Sequence, residues 1–446
     1  MSIEDNSRLK HIMERRRFGM RPGLDVMRAV LEELGNPQNT LRYIHVAGTN
    51  GKGATCAMLD SILRAAGYRV ARYTSPHLVT LNERFFIDGE PVSDDALTAA
   101  AERVLDVIER LERKSGTEVT FFETLTAMAF ELFAVARPDI VVLETGLGGR
   151  LDATNVISDV LVSVITRIGL DHCDWLGTTH AAIAEEKAGI IKQGRPVVCG
   201  VMPETAKETI ERLASLNGCR FVSADEHVTV DCLAPMTLTT AARNLPPVQF
   251  ALYGAFQVEN AMTALTTVDV LTRDCGFQIP DHAVVKGLED VVWPGRCQRI
   301  VHEDVEIYVD GAHNPDGARA LRDSLRLAGI KGPVGLIAGY CGDKDVLAHL
   351  RIMSALATYG WATPIHNARS LDPAETAERM LMAGFTAAEA CNDLADAFTR
   401  ALAWARASGG SIVVCGSLFL SGEALVELGA FPWLVRTPDA NELTLR

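Results

Sequence analysis

The chain has 446 residues, 48% of them hydrophobic and 22% charged, with a net charge of −14. That length fits about two to four domains, and the composition excludes a disordered chain. The acidic balance argues against a nucleic-acid-binding surface and predicts a soluble, cytoplasmic protein, and no apolar run approaches the ~20 residues that span a bilayer. The ten cysteines form no CxxC pair or zinc-like cluster, so they read as reduced thiols.

Residues from about Ile3 to Leu34 read as helix, stopped by Gly35-Asn36-Pro37. The apolar run Tyr43 to Ala47 reads as a strand and opens into Gly48-Thr49-Asn50-Gly51-Lys52-Gly53-Ala54-Thr55. An amphipathic helix follows, with Ala57, Leu59, Ile62, Leu63 and Ala66 on one face. Arg69 to Thr74 predicts a second strand, running into Ser75-Pro76-His77. Leu97 to Leu111 and Phe121 to Ala136 predict helices, the second stopped by Pro138. Ile140 to Leu143 and Val160 to Thr166 are short apolar strands of the buried parallel kind, ending at Glu144 and at Gly169-Leu170-Asp171-His172. Ala181 to Ile191 reads as helix and Pro196 to Cys199 as strand. Phe221 to Leu252, with three prolines, predicts a few antiparallel strands, and Gln257 to Leu271 another helix.

Past Trp293-Pro294-Gly295-Arg296 the alternation restarts. Val305 to Val309 is a strand, Asp316 to Ala328 a helix, Val334 to Ala338 a strand, and Ser411 to Cys415 closes the series. The fold class is therefore α/β. An N-terminal domain over residues 1–294 carries a doubly wound, mostly parallel sheet with a small antiparallel portion. A second, smaller Rossmann-like α/β domain covers 295–446, with a hinge near Pro294.

Strand, glycine turn and helix is the arrangement that cradles phosphate. Glycines admit close backbone approach, the helix N-terminus points free N–H groups at an anion, and Lys52 adds a full charge. The spacing departs from the common Walker pattern, because Gly48 and Gly51 are three apart and Gly53 follows the lysine. Ser75, Glu144 and His172 each fall at or just beyond the carboxyl end of a different strand, the edge where open parallel sheets bind ligands. One carboxylate, one hydroxyl and nucleotide phosphates suit Mg2+. Bland readings stand beside these: Ser75 as a turn cap, Glu144 paired with Arg150, His172 as a loop residue, Arg296 as a surface arginine and Lys187 as a solvated helix lysine. Asp310 and His313 sit in one strand-to-helix turn, where a helix cap is the alternative.

Gly48-Thr49-Asn50-Gly51-Lys52-Gly53 resembles the phosphate loop of the Mur ligase superfamily. Thr74-Ser75-Pro76-His77-Leu78, Asn82-Glu83-Arg84, Glu144 to Asp152, Gly169-Leu170-Asp171-His172, Glu186-Lys187-Ala188-Gly189-Ile190, Asp310 to Pro315 and Cys415-Gly416-Ser417-Leu418 narrow the likeness. Together they resemble the folylpolyglutamate synthase/dihydrofolate synthase family, in the family's order, from about residue 40 to 420. The resemblance implies an ATP-dependent ligase that joins L-glutamate to dihydropteroate or a reduced folate through an acyl phosphate. ATP and Mg2+ would be its cofactors, and it would act as a monomer on small molecules, with neither nucleic acid nor membrane. It implies that residues 48–55 hold the phosphates. Ser75 and Glu144 would take one Mg2+ and His172 a second, and Lys187 would carry a carbamate. Asn260, Arg296 and Asp310 would contact the nucleotide, Asp310 and His313 would face the reaction centre, and Phe122 and Glu123 would line the pterin site. Two departures stand out: Ala54 where the family usually has serine, and Phe256 where it often has histidine. A cell-wall precursor ligase and a nucleotide-binding regulator without ligase activity are the alternatives.

Overall fold

A computed structural model describes residues 7–15, 23–233, 235–342, 344–436 and 443–445. The chain divides into two compact units: residues 1–77, 81–251 and 259–291, and residues 78–80, 252–258 and 292–446.

The first unit is built on eight strands: β1 (Tyr43–Ala47), β2 (Val70–Tyr73), β3 (Phe85–Ile87), β4 (Glu90–Pro91), β5 (Ile140–Glu144), β6 (Val162–Ile165), β7 (Val197–Cys199) and β8 (Phe221–Ser223). Their order across the sheet is β4-β3-β2-β5-β1-β6-β7-β8. Strands β2, β5, β1, β6, β7 and β8 run parallel, and β3 and β4 add an antiparallel edge. β1 is central, with Val46 opposite Glu144 on one side and Val164 on the other. After β1 the chain moves to one side of the sheet and later returns to the other. The carboxyl end of β1 is therefore the crevice where ligands of such sheets bind.

Both faces of this sheet are covered. Helices Asp94–Ser115 and Phe121–Ala136 pack on one face around Leu97, Val104, Phe130 and Tyr43, and His180–Ala188 and Glu204–Leu216 pack on the other around Ile183, Ile210 and Val197. Burial on both faces is why β1, β5 and β6 read as continuous apolar runs.

Four expectations change. The helix Lys52–Ala65 is not one-faced: every residue from Ala54 to Leu63 is buried, Asp60 and Ser61 included. The N-terminal helix is broken: Ser7–Glu14 and Asp25–Glu33 are separate, Gly23 holds φ 122, and residues 1–6 and 16–22 lie outside the described residues. Phe221–Ser223 joins the parallel sheet, and only Thr229–Leu233 (β9) and Met236–Thr239 (β10) form the antiparallel pair. The β3–β4 hairpin adds two strands where none is expected from the sequence, and its turn is Asp88-Gly89, with φ 52 and 90, the two positive angles of a type I′ turn.

The second unit carries β11 (Gln298–His302), β12 (Val305–Val309), β13 (Val334–Ala338), β14 (Tyr359–Ala362), β15 (Ala387–Ala390) and β16 (Ser411–Cys415), ordered β11-β12-β16-β13-β14-β15. β16, the last of these six in sequence, lies in the middle of the sheet, between β12 and β13, and all five of its residues are buried. Phe256, which replaces an expected histidine, packs against the core of this unit with Leu321, Leu336 and Val413.

Candidate active site

Gly48 and Gly51 are where the phosphate turn cannot carry a side chain. Gly48 has φ 155, and a Cβ there would run into the hydroxyl of Thr166; Gly51 has φ 86, and a Cβ would run into the amide oxygen of Asn260. The turn is thus packed against β6 on one side and the helix Ala255–Asp274 on the other. Thr166 Oγ1 donates to the Asn50 carbonyl at 2.8 Å, and Thr49 Oγ1 donates to the Gly169 carbonyl at 3.1 Å. The 169–172 loop is therefore tied to the turn through its backbone. Gly51 caps the helix that begins at Lys52, so the free N–H groups of that first turn lie in the loop itself.

Three charged side chains meet at this turn. Lys52 Nζ donates to the Gly48 carbonyl at 3.0 Å and lies 4.0 Å from Glu144 Oε1. Lys187 Nζ donates to the same carbonyl at 2.8 Å. Glu144, 3% exposed at the end of β5, accepts from the Ser75 backbone N–H at 3.1 Å. Glu144 does not pair with Arg150, whose guanidinium binds Glu186 at 2.7 Å. The solvated reading of Lys187 also fails. Its ammonium is buried, and burial with the neighbouring positive Lys52 pushes its pKa down to about 7.

Lys187 is placed by two interlocked segments. A Cβ at Gly149 would meet the Lys187 carbonyl at 2.7 Å, one at Gly189 would run into Arg150, and the Arg150 N–H donates to the Glu186 carbonyl at 2.9 Å. The loop after Glu144 is held by Asp152, a residue given no role from sequence. One carboxylate oxygen accepts from the Gly146 and Leu147 N–H groups at 2.9 and 2.8 Å, and the other from Thr154 N–H at 3.0 Å and its hydroxyl at 2.5 Å. The Thr154 hydroxyl, having donated its proton, accepts from His45 Nε2 at 2.8 Å in the interior of β1. His45 Nδ1 is left without a hydrogen bond, and burial pushes its pKa down to about 3. The run of Gly-Leu-Gly-Gly-Arg-Leu-Asp after a strand was the available signal: a tight loop with one carboxylate must satisfy its own N–H groups.

The other expected residues separate. His172 has φ 51 and its ring is half-exposed, with Nε2 3.9 Å from Asp171. Phe122 lies over Gly146, where a Cβ would meet its ring at 2.5 Å. The Glu123 carboxylate accepts from the Thr120 N–H and hydroxyl, both at 2.8 Å, in a capping box that starts the helix Phe121–Ala136. Ala54 brings no hydroxyl, and the neighbouring Thr55 hydroxyl is buried without a partner.

In the second unit, Asp310 does not cap a helix; Asn314 does that, accepting from Gly317 N–H at 2.7 Å. Asp310 accepts from the Cys297 and Ala312 N–H groups, both at 2.7 Å, and a Cβ at Gly311 would run into the Arg296 guanidinium. Burial pushes the Asp310 carboxyl up, and Arg296 with the two N–H donors pulls it back. His313 Nδ1 lies 2.8 Å from the Gly311 carbonyl, so the turn fixes one ring nitrogen and leaves Nε2 pointing away from it.

Among the described residues no three His, Cys, Asp or Glu side chains form a metal cage, and no helix is long and apolar enough to cross a membrane. Glu144 and Ser75 offer a carboxylate and a hydroxyl, a donor set that fits Mg2+ completed by water and phosphate oxygens.

The Mur ligase middle domain matches residues 46–268, and the Mur ligase glutamate ligase domain matches 295–418. A dihydrofolate synthase/folylpolyglutamate synthase of Bacillus subtilis is 35% identical over 350 residues, covering 77% of this chain and 81% of its own. A Mycobacterium tuberculosis folylpolyglutamate synthase complexed with ADP and AMPPCP superposes with a TM-score of 0.85 at 31% identity, covering 92% of this chain and 96% of its own. A bifunctional folylpolyglutamate synthase/dihydrofolate synthase with Mn, AMPPNP and L-glutamate bound gives 0.79 at 30% identity, covering 94% and 97%. With the glycine turn, its two lysines and Glu144 gathered at the carboxyl end of β1, the chain belongs to the Mur ligase family, in its folylpolyglutamate synthase/dihydrofolate synthase branch.

Proposed function

We propose that the chain is an ATP-dependent amide ligase that adds L-glutamate to the carboxylate of dihydropteroate, of reduced folates or of both. One observation supports the reading most: at the ligand edge of the sheet Lys52 and Lys187 share the Gly48 carbonyl, and Lys52 also faces Glu144, which the Ser75 N–H holds.

A carboxylate is a poor acyl donor because oxide is its leaving group. Transfer of the γ-phosphoryl group gives an acyl phosphate, phosphate becomes the leaving group, and the glutamate amine attacks the carbonyl carbon to form the amide. Phosphoryl transfer asks the protein for positioning and for neutralisation of charge. The N–H groups of residues 48–55 and the Lys52 ammonium bind the phosphates. Asn260 braces the turn at Gly51, and Arg296 and Asp310 contact the nucleotide. Ser75 and Glu144 would hold one Mg2+ and His172 a second, and the bound ions would supply further charge neutralisation. Phe122, lying over Gly146, offers an aromatic face to the pterin.

Lys187 has a distinct part. With its pKa near 7, a large share of the amine is neutral at physiological pH, and only the neutral amine attacks CO2. The neutral amine forms an N–C bond to CO2 and releases one proton, so that a carbamate oxygen would stand beside the phosphates in place of an ammonium that competes with Lys52. His313, with one ring nitrogen tied to its own turn, presents the other to the reacting groups. The chain works as a monomer on small molecules alone.

The test is an acceptor panel. ADP release is measured with dihydropteroate, tetrahydrofolate or a muramyl acceptor, each with and without L-glutamate. Release that requires glutamate together with a pteroate or folate is the expected result. Release with the muramyl acceptor alone, or ATP binding without turnover, sinks the reading.

A further inference from the structure

Beneath the Asp310–Asn314 turn lies a polar pair outside all the motifs described above. Tyr340 follows β13 and is 1% exposed. Its hydroxyl lies 2.9 Å from Nδ1 of His349, and the two rings meet edge to face with centroids 5.3 Å apart at 74°. His349 is wholly buried in the helix Val346–Met353, whose first turn is capped by Asp345.

The pair touches both sides of one hydrogen bond. That bond, Gly416 N–H to the Ala312 carbonyl at 2.7 Å, fastens the turn carrying His313 to the loop after β16. Gly416 has φ 112 and lies on the Tyr340 ring, which a Cβ there would meet at 2.9 Å. On the other side the His349 imidazole faces the Ala312 carbonyl and His313. Burial first and His313 second push its pKa down to about 4, against an upward pull from the Ala312 carbonyl. The ring is therefore neutral. Tyr340 donates to Nδ1, and the remaining proton sits on Nε2, which has no hydrogen-bond partner of ordinary geometry.

Stability alone does not account for this pair. Two apolar side chains of similar volume would fill the space, whereas a buried nitrogen without a full hydrogen bond costs about 1–3 kcal/mol. We propose that Tyr340 and His349 are positioning residues for His313: they brace the Ala312–Gly416 clamp from below and so fix the direction in which the His313 imidazole faces the reacting groups. This rests on the reading of His313 as a site residue.

Tyr340→Phe keeps the ring against Gly416 and removes only the donor to Nδ1. The expected result is a fall in kcat of about tenfold, the size of a small misalignment, with KM for ATP unchanged and Tm held within a few degrees. In a His313→Ala background the same change has no further effect on kcat, because the two act through one group. His349→Gln serves as an independent variant and follows the same pattern. A full further tenfold loss in the His313→Ala background overturns the inference. So does a normal kcat for Tyr340→Phe while His313→Ala is crippled, which leaves the reading of His313 standing. A fully active His313→Ala enzyme overturns that reading first and the inference with it.

Discussion

Lys52 and Glu144 are separable from the fold. Lys52 donates to the Gly48 carbonyl and faces Glu144, and Glu144 accepts from the Ser75 N–H, so both act at the turn through polar atoms. Lys52→Ala and Glu144→Gln are expected to lower kcat by at least about a hundredfold, the scale of one lost electrostatic group at a phosphoryl-transfer site, with the circular dichroism spectrum unchanged. Near-normal rates in either variant refute the assignment. His45 makes a pH prediction. Burial lowers its folded pKa to about 3, below the ordinary histidine value of 6.5. Between those two values the unfolded chain binds a proton that the native chain does not, so this contribution to stability is lost as pH falls. The slope for one such group is about 1.4 kcal/mol per pH unit. His45→Leu cannot titrate. Urea unfolding at pH 6.5 and 4.5 should show the parent losing about 2 kcal/mol more than the variant over that interval. Equal losses would remove His45 from the account.

At the scale of elements, the glycine turn is rigid because two neighbours fill the space where side chains would stand. Gly51→Ala must displace Asn260 and hold an L residue at φ 86. It is expected to raise KM for ATP by at least about tenfold while the far-UV spectrum stays native. An unchanged KM would show the turn to be more compliant than its packing implies. Much of this architecture was legible. The strands over Val305–Val309, Val334–Ala338 and Ser411–Cys415 and the helix Phe121–Ala136 fall where apolar runs and punctuating prolines put them. What was illegible has physical causes. The place of β16 in mid-sheet follows from long-range pairing, which no local pattern encodes. The burial of Lys187 follows from glycines at 149 and 189 that let two backbones touch. The capping box at the start of the helix Phe121–Ala136 is written locally, in Thr120-x-x-Glu123.

For the whole molecule, a net charge of −14 sets a repulsive field around an enzyme whose substrates are anions. Added salt screens that field, with a Debye length near 10 Å at about 0.1 M. KM for ATP is expected to fall about two- to threefold between about 10 and 150 mM potassium chloride at saturating Mg2+, with kcat unchanged. A rising KM would show that local lysines, and not the overall field, govern capture. One feature of the turn reaches beyond turnover. Two ammonium groups share the Gly48 oxygen, and the more deeply buried one sheds its proton far more readily than a lysine in water. The interior of this chain therefore holds an amine with a large neutral share at physiological pH, in a place that bulky reagents do not reach. In buffer freed of CO2, where no carbamate forms, cyanate, small and linear, should convert Lys187 to homocitrulline ahead of the exposed lysines, and a peptide mass map taken after brief treatment would reveal a single early adduct. Saturating nucleotide should shield that position, making the adduct a reporter of an occupied turn.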